Sequence, residues 1–241
     1  MEKSLSAEEW GNIYNQEQLN ILLHDVQTPE AQSEWTREML NLTKPGDRVL
    51  EIGSGSGQTS LCLAKAGRAV TALDFSESAL RLASAVAETL SIELRTVLHD
   101  AHIALPFEER EFDCVFHAGL LEHFDVAERI RLLRLWKPYG RKMVSMVPNA
   151  ASLCYRLGKE FLENHGIWKW RKEEPSYTQT GEFLNAGYTV EREYTIDIDS
   201  SLYFMEGGAL KETLSRLWAE RRRQGLTDLL HQGYLLVTIG V

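Results

Sequence analysis

This chain predicts an α/β fold, a doubly wound and mostly parallel sheet with helices on both faces, on three observations. Short apolar runs alternate with helix-period segments from Arg48 to Val147, the pattern of successive βαβ units. The first run, Val49-Leu50-Glu51-Ile52, breaks into Gly53-Ser54-Gly55-Ser56-Gly57-Gln58 and then into a helical pattern, which reads as strand, tight turn and helix. The second run ends in Asp74, 21 residues after Gly53. A right-handed crossover sets that carboxylate at the carboxyl edge of the neighbouring strand, beside the glycine turn.

The elements follow in order. From Ser6 to Leu42 two helical segments are expected, separated around Thr28-Pro29. Trp10, Ile13, Tyr14, Leu19, Leu22 and Leu23 supply apolar positions of the first, and Trp35, Met39 and Leu42 those of the second. Pro45-Gly46 stops the helix before a strand over Arg48 to Ile52. Thr59 to Ala66 is the first crossover helix, ended by Gly67, and Ala69 to Leu73 is the second strand. Ser76 is placed to cap the helix carried by Ala79, Leu80, Leu82, Ala83 and Val86.

A third strand over Ile92 to Leu98 and a fourth over Phe112 to His117 are followed by a helix, Val126 to Trp136, and a fifth strand, Arg141 to Val147, halted by Pro148. The rhythm then breaks. Asn149 to Tyr177 is dense in aromatics and charges with no clear sheet role. A short helix closes over Phe183 to Gly187, Tyr188 to Ile198 alternates as a strand, a helix runs from about Ala209 to Gln224, and Tyr234 to Ile239 is the final run.

Composition bounds the function. With 241 residues and 44% hydrophobic content the chain can bury one sizeable core. A net charge of −9 argues against nucleic-acid partners, and Arg221-Arg222-Arg223 reads as a solvated helix face. Cys62, Cys114 and Cys154 lie far apart in apolar segments, which suggests buried thiols in a reducing compartment. No apolar stretch reaches the length of a membrane span. A soluble, cytoplasmic protein is expected, its oligomeric state open.

The strand ends define a ligand rim. Glycine accepts positive φ and lets a ligand approach the backbone, and the N–H groups opening the next helix receive polar or anionic groups. A dinucleotide fingerprint would want its third glycine where this chain has Gln58; the spacing here is G-x-G-x-G. Asp74 suits two vicinal hydroxyls, or it caps the helix that follows. Asp100 ends the third strand, where an aspartate is also an ordinary turn residue. His99, His102, His117 and His123 cluster by sequence but in no recognised metal spacing, so no metal is called.

VLEIGSGSGQ, ALDFS, HDA, ALPFEEREFDCVF, GLLEHF and KPYGRKMVSMVPN, in this order, resemble class I S-adenosylmethionine-dependent methyltransferases, and most the small-molecule branch with the ubiquinone-biosynthesis-type enzymes. The match runs from about Val49 to Asn149, with a fainter echo at Glu182 to Tyr188. The resemblance implies a Rossmann-like seven-stranded sheet whose antiparallel last strand, Tyr234 to Ile239, lies at the edge. It implies one methyltransferase domain over 1–241: a helical cap (1–44), a cofactor core (45–149), an acceptor-covering insert (150–180) and C-terminal strands and helix (181–241). It also implies S-adenosylmethionine as cofactor. Gly53, Ser54, Gly55 and Gly57 would cradle its methionine portion and Glu51 its ammonium. Asp74 would take the ribose hydroxyls, Phe75 the adenine face unless it is core, and Asp100 and the Ala101 N–H the adenine edge. Gly119 would offer a carbonyl to the ammonium.

A sulfonium is already electrophilic, so alignment and exclusion of water are the protein's main tasks. A base is needed only for an acceptor that must lose a proton, and His123 is its candidate; the bland alternative is that it ties a loop. The acceptor is expected to be a small molecule methylated at oxygen or nitrogen rather than carbon, covered by Trp168, Trp170 and Tyr177 from one side and Trp10 and Tyr14 from the other. Those rings could equally form a satellite core or a dimer contact. A non-catalytic methyltransferase-like subunit and a nicotinamide-dependent oxidoreductase are the competing functions.

Overall fold

The computed structural model describes residues 16–168, 172–205, 207–225 and 231–241. Its strands are β1 Arg48–Ile52, β2 Ala69–Asp74, β3 Arg95–Leu98, β4 Cys114–Ala118, β5 Met143–Pro148, β6 Val190–Ile196 and β7 Leu235–Gly240. These seven strands of the described residues form one sheet in the order β3-β2-β1-β4-β5-β7-β6. Neighbours from β3 to β5 pair in parallel, and β7 runs antiparallel to both β5 and β6. The Rossmann-like sheet expected from sequence is therefore present. The chain winds outward from β1 through β2 to β3 and then returns to β4 on the other side of β1, which opens a crevice at the carboxyl ends of β1 and β4.

Helices cover both faces: α1 Gln16–Gln27, α2 Glu34–Leu42, α3 Gln58–Lys65, α4 Glu77–Leu90, α5 Val126–Trp136, α6 Leu153–Asn164, α7 Thr180–Ala186 and α8 Ala209–Arg223. The period of two along each strand divides the core. Leu50, Ile52, Val115, Met143 and Val147 pack with Leu132, Leu133 and Trp136 of α5 and Phe183 of α7, while Val49, Phe116, Val144 and Met146 pack with Met39 of α2 and Leu63 of α3. Ser76 caps α4 as expected, its Oγ accepting the Ala79 N–H. The three cysteines are buried free thiols. Arg221, Arg222 and Arg223 are exposed on α8, and among the described residues no helix is long and apolar enough to cross a membrane.

Three expectations need correction. The antiparallel strand is not at the edge: β7 is buried along its whole length between β5 and β6, whereas β6 is partly exposed along most of its length and tolerates the edge. β3 begins at Arg95 rather than Ile92, because Ser91 in the left-handed region turns the chain and the Ile92 N–H still bonds to Ala87 of α4. Helix α6 occupies part of the segment in which no regular element is predicted. It buries Cys154, Tyr155 and Gly158, a helical spacing obscured in sequence by exposed Leu153 and Leu157. Gly158 is needed there, since a Cβ would stand 2.4 Å from the Phe204 carbonyl oxygen.

Candidate active site

A cavity of about 740 Å³ lies over the crevice. Gly53, Gly55 and Gly57 have φ of 68°, 53° and 71°, so the alternating glycines follow from three consecutive demands for positive φ. At Gly53 a Cβ would also meet Leu120 at 3.0 Å. Gly53, Ser54 and Gly55 line the cavity. The Gly53 and Ser54 N–H groups donate to the Leu73 carbonyl at 2.8 and 3.0 Å, seating the turn on the end of β2. Gln58, at the position that disqualifies a dinucleotide fingerprint, donates from Nε2 to Asp25 Oδ2 at 2.7 Å and ties α1 to the turn.

Asp74 is buried at the end of β2 and lines the same cavity. Its Oδ2 accepts the Gly55 N–H at 2.8 Å and its Oδ1 the Ser76 N–H at 2.8 Å, so the acid locks the glycine turn that its sequence distance only placed nearby. Burial raises its pKa, and these backbone donors act against the rise. Glu51 is fully enclosed at the end of β1, with Oε2 accepting from the Ser60 N–H and hydroxyl at 3.1 and 2.5 Å. Burial pushes its carboxyl up to about 8, so the site is poorly solvated for an anion and suited to an incoming cation.

Phe75 is 43% exposed and lines the cavity, which places it outside the core. Asp100 and Ala101 line it from the end of β3. Asp100 Oδ1 accepts the His102 N–H at 2.9 Å and contacts His102 Nδ1 at 2.8 Å. Slight burial raises its pKa, but the His102 bonds and the fields of His102 and His99 hold it below the ordinary carboxylate range. The Ala101 carbonyl accepts the Trp136 indole N–H at 2.9 Å, anchoring this turn to α5.

Beyond β4 the walls come from distant segments. Gly119 turns the chain at φ 74°, and its absent side chain leaves room for Glu122, whose Oε1 would lie 3.3 Å from a Cβ. Glu122 is buried, with Oε2 lacking a hydrogen-bond partner among the described residues, and burial pushes it up to about 8. Neighbouring His123 contacts the Lys172 carbonyl through Nδ1 at 2.8 Å, so the loop-tying contact expected as its bland alternative is present. Residue 173 is held close: the Glu174 N–H donates to the Glu122 carbonyl at 2.8 Å, and Arg129 of α5 binds the Phe124 and Glu174 carbonyls and Ser176 Oγ. Glu173 accepts the Tyr155 hydroxyl proton. Burial and the nearby Glu122 raise it to about 7.

A family model described as a methyltransferase domain matches residues 49–140. A demethylmenaquinone methyltransferase of Bacillus cereus is 25% identical over a 176-residue alignment that covers 64% of this chain and 74% of that protein. Residues 49–140 thus carry a methyltransferase domain, similar to that of S-adenosylmethionine-dependent methyltransferases. Among solved structures, a SAM-dependent methyltransferase from Archaeoglobus fulgidus superposes with a TM-score of 0.61 at 17% identity, covering 91% of this chain and 97% of that one. Magnesium protoporphyrin IX methyltransferase from Synechocystis, with bound SAH, gives 0.56 at 15% identity, covering 100% and 89%. These likenesses agree with the fold.

The methyltransferase's residues fit its cofactor on their own geometry. The turn at Gly53 and Gly55 leaves no side chain in the way, Ser54 Oγ is buried without a partner among the described residues, and Glu51 is a buried acid facing the same space. Other expected residues are not brought there. Gly57 does not line the cavity; it opens α3 and lets the turn pass Ala83, whose Cβ would be 3.0 Å from its own. Tyr177 is 73% exposed and absent from the walls. Trp168 stands behind the wall, its ring 5.9 Å from Phe204 and under the Lys159 ammonium at 4.7 Å. Trp10, Tyr14 and Trp170 lie outside the described residues. Sequence reasoning passed over Trp35, Glu173, Tyr203, Phe204 and Tyr234, which do line the cavity. None of these aromatics lies in the aromatic-dense segment from Asn149 to Tyr177, and no local spacing marked them.

Proposed function

We propose that this methyltransferase transfers the methyl group of S-adenosylmethionine to oxygen or nitrogen of a small-molecule acceptor bound over the ends of β4, β5 and β7. The observation that carries the reading is the continuity of one cavity from the glycine turn to the Glu122–Glu173 wall. At about 740 Å³ it has the size of small-molecule sites. The names of the menaquinone and porphyrin enzymes support an acceptor of that class.

In this reading Gly53, Ser54 and Gly55 carry the methionine portion, and Glu51 and the Gly119 carbonyl receive its ammonium. Asp74 accepts the ribose hydroxyls with the lone pairs that Gly55 and Ser76 leave on each oxygen. Phe75 lies along the adenine, and Asp100 with Ala101 meets its edge. The bound cofactor supplies an electrophilic methyl group. The protein's share is to hold the acceptor in line and keep water out, a contribution of roughly 7–11 kcal/mol at best. His123 can take an acceptor proton at Nε2 when Nδ1–H donates to the Lys172 carbonyl.

Calorimetry with S-adenosylhomocysteine, followed by mass-spectrometric screening of hydroxyl- and amine-bearing small molecules with S-adenosylmethionine, tests the reading. Tight binding of the nucleoside and a product heavier by one methyl group are expected. Failure to bind it would overturn the assignment.

A further inference from the structure

Over β4, β5 and β7 the cavity combines two buried carboxyls with aromatic walls. Glu122 is 3% exposed, lines the cavity and has no hydrogen-bond partner for Oε2 among the described residues. Glu173 lies close enough for the two charges to oppose each other, and its Oε1 accepts a hydrogen bond from the Tyr155 hydroxyl. Arg129 reaches Glu122, and Lys159 and His123 reach Glu173, through their fields, while the hydrogen bonds of the nearby Arg and Lys side chains go to other groups. Arg129 serves the Phe124 and Glu174 carbonyls, Ser176 and Glu182. Lys159 pairs with Glu163 and lies over Trp168, and Lys172 Nζ lies 2.9 Å from Glu174. Beside the carboxyls stand the rings of Tyr203, Phe204 and Tyr234, with centroids 5.5 Å and 5.0 Å apart in sequence along the cluster. Carboxylates backed by aromatic faces are a receptor for an organic cation, and an anion or a neutral carbonyl would leave Glu122 without a complement.

We infer that the methyl acceptor is an amine, carried in as an organic cation whose nitrogen is seated between Glu122 and Glu173 against the aromatic wall. The inference rests on the methyl-transfer reading above. The ammonium gives one proton to His123 on the same wall. The freed nitrogen lone pair then bonds the methyl carbon as the carbon–sulfur pair returns to sulfur. The product is an N-methylammonium and a neutral thioether, so the cation seat is filled before and after transfer. The imidazolium returns its proton to water.

The test uses the full chain. It is first titrated calorimetrically with S-adenosylhomocysteine, and the loaded protein is then titrated with phenethylamine and tryptamine. Each amine is compared with its alcohol, 2-phenylethanol or tryptophol, and its carboxylate, 3-phenylpropionate or indole-3-propionate. At least one amine should bind about tenfold or more tighter than both counterparts and gain a methyl group from S-adenosylmethionine. Glu122→Gln and Glu173→Gln, checked for folding by circular dichroism, should each weaken that amine by about tenfold and leave S-adenosylhomocysteine affinity unchanged. No preference for the amine in either series overturns the inference, whatever the variants do. So does an equal loss of nucleoside affinity in Glu122→Gln, which would assign that carboxyl to the cofactor. If the wild-type protein takes no S-adenosylhomocysteine, the methyl-transfer reading itself fails; nucleoside binding without amine preference sinks the amine inference alone.

Discussion

The two halves of the cavity are built by different means. Over β1, β2 and β3 the walls come from short runs at strand ends: residues 51, 53–56 and 58–59, 73–75 and 99–102. Their contacts are mostly to backbone, as when Asp74 grips the Gly55 and Ser76 N–H groups. Over β4, β5 and β7 the walls combine Glu122, Pro148, Glu173, Phe204 and Tyr234, and long-range bonds bring them together. The Tyr234 N–H donates to the Asp197 carbonyl at 3.1 Å, and Asn149 Nδ2 donates to the His231 and Gly233 carbonyls at 2.6 and 2.9 Å. The first half is a local solution that any chain with the same turn can repeat. The second depends on side chains and loops, where one scaffold acquires its own specificity.

The comparison breaks most sharply at Gly55. Gly55→Val puts a branched side chain at φ 53° in the cavity floor, adding strain of ~1–3 kcal/mol besides blocking close approach. Calorimetry should find no S-adenosylhomocysteine binding in a protein that circular dichroism reports as folded. Wild-type affinity in that variant would mean the turn is not the cradle.

Asp74→Ala is expected to cost S-adenosylhomocysteine roughly 1–3 kcal/mol, the scale for hydrogen bonds to a charged group. An analogue lacking both ribose hydroxyls should lose less, and what it still loses measures the locking of the Gly55 N–H. Equal losses for analogue and parent would make Asp74 purely structural.

Glu51 and Glu122, one from each half, allow a test by pH. Both are raised from 4.5 to about 8 by burial. Unfolding releases their protons between these values, so their contribution to stability is full below pH 4.5 and is lost as pH rises through 8. Glu122→Gln should therefore stabilise the ligand-free protein at pH 8.5 by on the order of 1–3 kcal/mol, an effect that fades toward pH 5. Denaturant titrations at the two pH values measure it, and a pH-independent difference would contradict the buried-acid assignment. His117 acts in the opposite sense: burial, with help from Arg129, lowers it to about 3. Its contribution is present above pH 6.5 and is lost as pH falls toward 3.

The smallest effect is expected at Trp168, one layer behind Phe204. Trp168→Ala should weaken acceptor binding by ~0.5–1.5 kcal/mol and leave nucleoside affinity unchanged. An unfolded variant, or one altered only in association state, would show that the ring is structural.

The sequence alone determined the glycine-turn half of the cavity and the order of its elements. The glycines at 53, 55 and 57, the acid at 74 and the helix start at Ser76 reflect local conformational demands, positive φ and capping, and such demands are written in residue type at fixed spacing. Its view of Gly57 was too generous, because a packing glycine and a ligand glycine have the same letter. Tertiary structure decided the rest. The insertion of β7 beside β5, the helix α6 closing on the Phe204 backbone, and the meeting of Glu122 with Glu173 join positions far apart in the chain. The aromatic density from Asn149 to Tyr177 pointed to Trp168 and Tyr177, yet it is Phe204 and Tyr234, outside that segment, that reach the cavity. Burial depends on what the folded chain brings opposite a residue, and no local spacing records that partner.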